Sequence, residues 1–297
     1  MMAVNLRDIP GYDGFASIDP ILEGVSGEDK YRVTTLKGER LFLRVGVCAD
    51  SYENHKKHMR AETLDIKIAR TVGFGLFDDN RHYYWLLTWL DGVSAFDVLP
   101  AFDKVGQYDL GVKTGKLLKK IHSIPVLEEM EPLYEWLGRN IDFFIGERRS
   151  EHIGNSELYI NIVTFLENNK MILHVRPQVF LHGDFGLSNL IITPGGEVIP
   201  TDFSYNMRSY GDPCSDMANF SERGATTPYM SGQIHGYFDG EIPEDFWRAY
   251  LFHEAFAALV ILSARETREW IGYLCNWYNE RIQCTVNVVP KWYMTTV

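Results

Sequence analysis

His182-Gly183-Asp184-Phe185-Gly186-Leu187-Ser188-Asn189, followed thirteen positions past that Asn by Asp202-Phe203-Ser204, is the stretch on which the reading of this 297-residue chain turns. Between its two parts, Leu190-Ile191-Ile192, the turn formers Thr193-Pro194-Gly195-Gly196, and Val198-Ile199 predict two short strands joined by a hairpin. A hairpin returns the chain to where it began, so Asp202 comes back toward Asn189. A tight loop, in turn, lets Asp184 and Asn189 point into the same cleft from positions five apart.

Phosphoryl transfer asks for such a set. The protein makes few bonds in that reaction; it sets a hydroxyl in line with a γ-phosphate and neutralises the phosphate oxygens with Mg²⁺. One carboxylate, Asp184, is needed beside the hydroxyl, and hard oxygen ligands, Asn189 and Asp202, are needed for the metal. Any one of these residues alone would be an ordinary turn or strand-end residue, since Gly and Asp are common turn formers. It is their order and spacing together that carry the reading.

The ordered set His182-Gly183-Asp184, Asn189, Asp202, Gly211-Asp212-Pro213 and Asp216 resembles the aminoglycoside phosphotransferase and choline kinase family, the small-molecule branch of the protein-kinase-like fold. Gly183 and Ser204 stand where protein kinases usually carry Arg and Gly, and no Ala-Pro-Glu segment follows Asp202. The resemblance implies an α+β, bilobal fold with a small antiparallel-sheet N-lobe over residues 1–91 and a mostly helical C-lobe over 92–297. It implies a Mg²⁺-dependent small-molecule kinase with ATP or GTP as phosphate donor. In it Asp184 accepts the proton of the acceptor hydroxyl, Asn189 and Asp202 hold the metal, His182 orients the catalytic loop and Asp216 anchors it.

In the expected N-lobe, residues 21–33 read as strand, flexible turn and strand, with Lys37-Gly38 making the next turn. By resemblance Gly24-Val25-Ser26 matches the phosphate-covering loop, where the Ser26 hydroxyl and backbone N–H groups would meet phosphate. A Gly-x-Ser turn in a hairpin is also an ordinary turn. Leu41-Phe42-Leu43-Arg44-Val45 is an apolar strand with one cation, which alternation alone would turn to solvent. In the resembled fold this strand carries a Lys that holds the α/β-phosphates and pairs with a helix Glu. This chain departs with Arg44, whose guanidinium can clamp phosphate bidentately but is bulkier and differently shaped. Residues 51–70 read as a helix with Met59, Leu64, Ile68 and Val72 near helical spacing, and Glu62 is the expected partner of Arg44, with Glu53 the alternative. The aromatic strand over 83–90 stops at Asp91-Gly92, and by resemblance the backbone of Trp89 and Leu90 meets the nucleotide base.

Beyond it, helices are expected over 108–122, 131–149, 158–173, 243–265 and 268–281. Gly111 and Gly115 would let a neighbouring element approach the first of these. Net charge is −11, and no basic stripe is available for a nucleic acid backbone. The longest apolar run, over 255–262, is far short of the ~20 residues a membrane span needs, and no secretory signal is evident, so a soluble cytoplasmic protein is expected. Cys48, Cys214, Cys275 and Cys284 show no zinc or disulfide spacing. The acidic balance suits a cationic acceptor, and it suits simple solubility as well. From Asp239 onward eight acids face five bases, and by resemblance this region walls the acceptor site, for which an aminoglycoside is the leading candidate. Choline, ethanolamine, homoserine, macrolide and sugar kinases share the same motifs. A kinase-like protein that binds nucleotide without turnover is the alternative that Arg44 favours.

Overall fold

The computed structural model describes residues 4–22, 27–47, 49–126, 129–147, 157–204, 208–218, 225–264 and 293. Ser26 and the helix expected over 268–281 lie outside the described residues, as do Cys48, Cys275 and Cys284; Cys214 is a buried free thiol. In chain order the strands and α-helices are β1 (Phe15–Ile21), β2 (Asp29–Thr35), β3 (Arg40–Gly46), α1 (Ala49–Ala61), β4 (Thr71–Phe77), β5 (His82–Thr88), β6 (Val93–Ser94), α2 (Ala95–Val98), α3 (Lys104–His122), α4 (Leu133–Glu147), α5 (Glu157–Asn169), β7 (Val179–Phe180), β8 (Leu190–Ile192), β9 (Val198–Pro200), β10 (Tyr210–Gly211), α6 (Cys214–Met217), α7 (Thr227–Phe238) and α8 (Phe246–Ala264). They form two compact units. One comprises Met1–Ser94 and Asn189–Met207, the other Ala95–Ser188 and Arg208–Val297. The division expected at residue 91 therefore falls at 94, and residues 189–207, expected in the second lobe, return to the first unit.

The first unit is built on an antiparallel sheet of order β1-β2-β3-β5-β4. Period-two alternation sorts its two faces. Val33, Leu43, Val45, Phe77, Tyr84 and Leu86 pack with Ile9 in one core, while Trp85 and Leu87 pack with Ala69, Phe42, Phe74 and Leu90 in another. Arg44 pairs in register with Trp85. It thus points into the second face instead of to solvent, and is only 7% exposed. The helix expected over 51–70 ends at Ala61: Thr63 Oγ1 donates to the Arg60 carbonyl, and Ile68 and Ala69 are buried from an irregular segment. Val72 lies in strand β4, where Gly73 and Gly75 make room for the Tyr84 ring. The hairpin read between Asn189 and Asp202 is present as β8 and β9, with Ile191 opposite Ile199, and β6 adds a third strand. Its turn closes by Gly196 N–H donating to the Thr193 carbonyl at 2.8 Å, with Gly196 at φ 76, a left-handed value that glycine accommodates freely.

The second unit is mostly helical. Helix α3 starts four residues earlier than expected, at an Asp103 cap whose carboxylate accepts from Gly106 N at 2.8 Å. The close neighbour anticipated for Gly111 and Gly115 is α7, a helix the periodicity did not reveal. A Cβ on Gly115 would stand 2.7 Å from Tyr237 N, and one on Gly111 2.8 Å from Gln233 N; Gly232 and Gly236 answer from α7 against Tyr108 and Val112. Four glycines thus bring two helix backbones into contact. Around them α8 packs against α4, α5 and α6, and β7 pairs with β10. Among the described residues no helix is long and apolar enough to cross a membrane.

Candidate active site

In the first unit the centre is Arg44. Its Nε and Nη2 meet Glu28 Oε2 at 2.6 and 2.5 Å, its Nη1 donates to Asp202 Oδ1 at 2.6 Å, and its plane lies over Trp85, 5.4 Å from the ring centroid. Burial works against this charge, yet the carboxylates of Asp202 and Glu28 outweigh it and hold the guanidinium above its usual range. Ser51 Oγ on α1 donates to the other Glu28 oxygen at 2.5 Å.

The expected Arg44–Glu62 pair is therefore corrected. Glu62 lies one residue past the end of α1, where it accepts from Thr71 N at 2.7 Å and stands 3.4 Å from His58 Nε2. The alternative, Glu53, pairs with Lys56. Register explains the choice: Lys30 stands opposite Arg44, and Glu28, two positions earlier, is the diagonal neighbour on the same face. Nothing in the sequence distinguished Glu28 from Asp29 beside it.

Asp202 follows β9 at φ 57, a left-handed backbone for a residue that has a Cβ. The Asn189 carbonyl accepts from both Thr201 N (2.8 Å) and Thr201 Oγ1 (3.1 Å), joining the two ends of the hairpin that carry the expected metal ligands. One amide oxygen and one carboxylate, the latter a third exposed, fit Mg²⁺, which takes one or two protein oxygens and completes its shell with water and phosphate. Among the described residues no cluster of three or more His, Cys, Asp or Glu could hold a metal by itself. Trp89, expected against the base, packs edge-on against Phe42, and its N–H donates to the Arg40 carbonyl at 3.3 Å. The Trp89 carbonyl and the Leu90 N–H have no hydrogen-bond partner among the described residues.

In the second unit the loop of Asp184 hangs on one carboxylate. Asp216 accepts from His182 N at 2.5 Å and Gly183 N at 2.8 Å, and His122 Nε2 stands 3.1 Å away. His122 Nδ1 meets the Tyr237 hydroxyl at 2.8 Å. The network is satisfied with Tyr237 donating to Nδ1 and Nε2–H donating to Asp216. Gly183 sits at φ 88, and the Asp184 N–H donates to His182 Nδ1 at 3.3 Å. The loop leaves Asp184 exposed beside buried His182 and Phe185. His122 and Tyr237 carried no motif in the sequence; each is an ordinary residue near the end of a helix.

Behind Pro213, Asp212 is buried against Arg176, at 2.7 and 3.2 Å, and faces His253 at 3.4 Å. Burial would raise its pKa, but His253 and Arg176 hold it well below the usual carboxylate range. Of the acids from residue 239 onward, Asp239 is paired with Lys119 and Asp245 with Arg176, Glu254 is buried, and Glu266, Glu269 and Glu280 lie outside the described residues.

Comparison with known proteins follows the same lines. The chain matches the family model described as the phosphotransferase enzyme family over residues 17–256. No curated protein sequence matches it. Among solved structures it is similar to the GDP complex of aminoglycoside 2′-phosphotransferase-IIIa, at 13% identity and TM-score 0.66 over 90% of this chain and 92% of that one. It is also similar to a thermostable mutant of aminoglycoside phosphotransferase APH(4)-Ia in ternary complex with ADP and hygromycin B, at 14% identity and TM-score 0.64 over 91% and 92% of the two chains. A streptomycin–ATP ternary complex of APH(2″)-IIa gives 14% identity and TM-score 0.65 over 96% and 98%. At these identities the likeness is one of fold, the protein-kinase-like fold.

Proposed function

This chain belongs to the phosphotransferase enzyme family and is a small-molecule kinase with an alcohol group as acceptor, and from that premise we propose that it transfers the γ-phosphate of ATP or GTP, with Mg²⁺, to a hydroxyl of a small cationic molecule such as an aminoglycoside. The observation that carries the reading is the 2.6 Å contact of Arg44 Nη1 with Asp202 Oδ1. It brings the strand cation expected at the phosphates to the carboxylate expected at the metal, across 158 residues of sequence. Similar structures bound to GDP, ADP and ATP support a nucleotide donor.

Asn189 Oδ1 and Asp202 would hold the ion, and bound there Mg²⁺ would neutralise charge on the phosphate oxygens. The remaining work belongs to the chain. Asp184, on a loop fixed through Asp216, accepts the hydroxyl proton. The acceptor oxygen forms its bond to γ-phosphorus as the bond to the β,γ-bridging oxygen breaks, and the nucleoside diphosphate leaves with that electron pair. The Trp89 carbonyl and Leu90 N–H offer one acceptor and one donor to the base. Arg44 steadies the phosphates from the face it shares with Trp85. Residues 1–94 with 189–207 would bind the nucleotide, and the helical unit would carry Asp184 and bind the acceptor.

Purified protein supplied with ATP or GTP and a panel of aminoglycosides, amino alcohols, macrolides and sugars should phosphorylate a cationic member. Efficient turnover of neutral sugars or macrolides alone would overturn the cationic acceptor. A second reading, a protein that binds nucleotide without turnover, draws on Arg44, all three of whose nitrogens are engaged by carboxylates. Nucleotide binding without turnover of any acceptor would favour it.

A further inference from the structure

Lys57 is among the most buried side chains of the first unit, at 2% exposure, and no role proposed above uses it. An ammonium withdrawn from water is strongly disfavoured unless well-placed acceptors compensate it. A methionine would fill the same volume without that cost, so the charge calls for an explanation. Its Nζ donates to the Ser204 carbonyl, two residues past Asp202. The next residue of α1, His58, packs edge-on against Phe203 at 5.7 Å, and Phe203 is fully buried. Arg44 holds Asp202 itself. Three consecutive residues are thus gripped by three side chains: Asp202 by Arg44, Phe203 by His58, Ser204 by Lys57.

Asp202 needs such a grip. At φ 57 its backbone sits in a sparsely populated region that persists only where the surroundings over-determine it. Arg44 pulls on the side chain and leaves the backbone torsion free to relax; an anchor on the carbonyl of Ser204 opposes that relaxation. We infer that Lys57 is a positioning residue, which holds the backbone after Asp202 so that the Asp202 carboxylate is presented to the Mg²⁺–nucleotide. The inference rests on the proposed role of Asp202 as metal ligand. Helix α1 then acts on the centre through a cation on the backbone of the metal-binding segment, where the sequence had suggested an acid on Arg44.

Titration calorimetry of the whole chain with Mg²⁺–ATP tests it. Lys57→Met, folded by its melting transition, should bind about tenfold more weakly, the size of effect seen when a partner that orients a metal ligand is lost. The nucleotide KM should rise while the acceptor KM stays put, and Lys57→Arg should recover part of the loss. In the nucleotide-free protein, amide exchange over residues 201–204 should quicken. Should Lys57→Met not fold, Lys57→Gln, one atom shorter and uncharged, is titrated with the same expectation. Affinity within twofold of wild type in the folded variant overturns the inference. Asp202→Ala is the parallel control. If it binds Mg²⁺–ATP weakly while the Lys57 variant binds normally, only the role of Lys57 falls; if it binds like wild type, the metal reading of Asp202 falls and takes that role with it.

Discussion

Replacing Gly115 by Ala should destabilise the second unit, although the same change at Gly138 should stabilise it. Both glycines lie inside helices, where alanine is favoured by about 0.8–1 kcal/mol. A Cβ at Gly138 meets nothing within 4 Å, so that gain is kept. At Gly115 the added carbon would press on the Gln233 carbonyl oxygen and stand 2.7 Å from Tyr237 N and 2.9 Å from Gln233 C. Ordinary carbon contacts lie at about 3.5–4.0 Å, so α7 would have to retreat by roughly 1 Å. The opposing atoms are backbone and cannot rotate away. Overpacking of this kind costs about 1–3 kcal/mol, and with the upper part of that range offset by the propensity gain, a net loss of about 1–2 kcal/mol is expected. The two variants should then differ by about 2–3 kcal/mol, or about 4–12 °C in Tm. Calorimetric melting measures both on the same unit. The retreat also separates His122 on α3 from Tyr237 on α7, so Gly115→Ala should lower kcat. A Gly115→Ala protein as stable as wild type, or two variants shifting in the same direction, would refute the close-packing argument.

Asp184→Asn should keep fold and nucleotide binding while lowering kcat by about 10²–10⁴, the usual worth of a positioned general base; wild-type turnover would remove the assignment. Glu28→Gln should raise the nucleotide KM by about tenfold or more, since a hydrogen bond to a charged group contributes about 1.5–3 kcal/mol, while Glu62→Gln leaves it unchanged. The opposite ranking in steady-state kinetics would restore Glu62 as the partner of Arg44. Asp212 has a folded pKa well below its unfolded one, so its stabilisation is full above the unfolded value and is lost as pH falls from about 4 toward the folded value. Asp212→Asn should therefore cost about 3–5 kcal/mol near neutral pH by breaking a buried pair, and should flatten the pH dependence of denaturant melts below about 4. A slope equal to wild type would contradict it.

The hairpin around Asn189 and Asp202 was legible because its turn chemistry is local: Thr193, Gly195 and Gly196 sit between two short apolar runs. The strand of Arg44 was legible for the same reason. Its partner was not, because a diagonal pairing between β2 and β3 depends on register, and Glu28 and Asp29 are equivalent until register is known. The end of α1 at Ala61 was hidden by apolar residues that keep helical spacing while belonging to a loop and a strand. Helix α7 was missed because its contact with α3 is made by Gly232, Gly236 and the backbone of Gln233 and Tyr237, a backbone approach that leaves no apolar stripe in the sequence. Such a contact becomes meaningful only beside the matching glycines of α3.

The return of residues 189–207 to the first unit bears on how the chain acquires its structure. Strand β6 ends at Ser94 and waits for β8, which begins at Leu190, while Arg44 waits for Asp202. On the ribosome the five-stranded sheet can assemble from residues 15–88, but its buried guanidinium lacks one of its two counter-charges until more than a hundred further residues have emerged. Closing so long a loop is slow. A nascent first unit is thus provisional, and a fragment ending near residue 94 should be a poor independent domain. One carrying residues 189–207 on a short linker would supply the missing strands and charge, and should fold as a minimal version of the first unit.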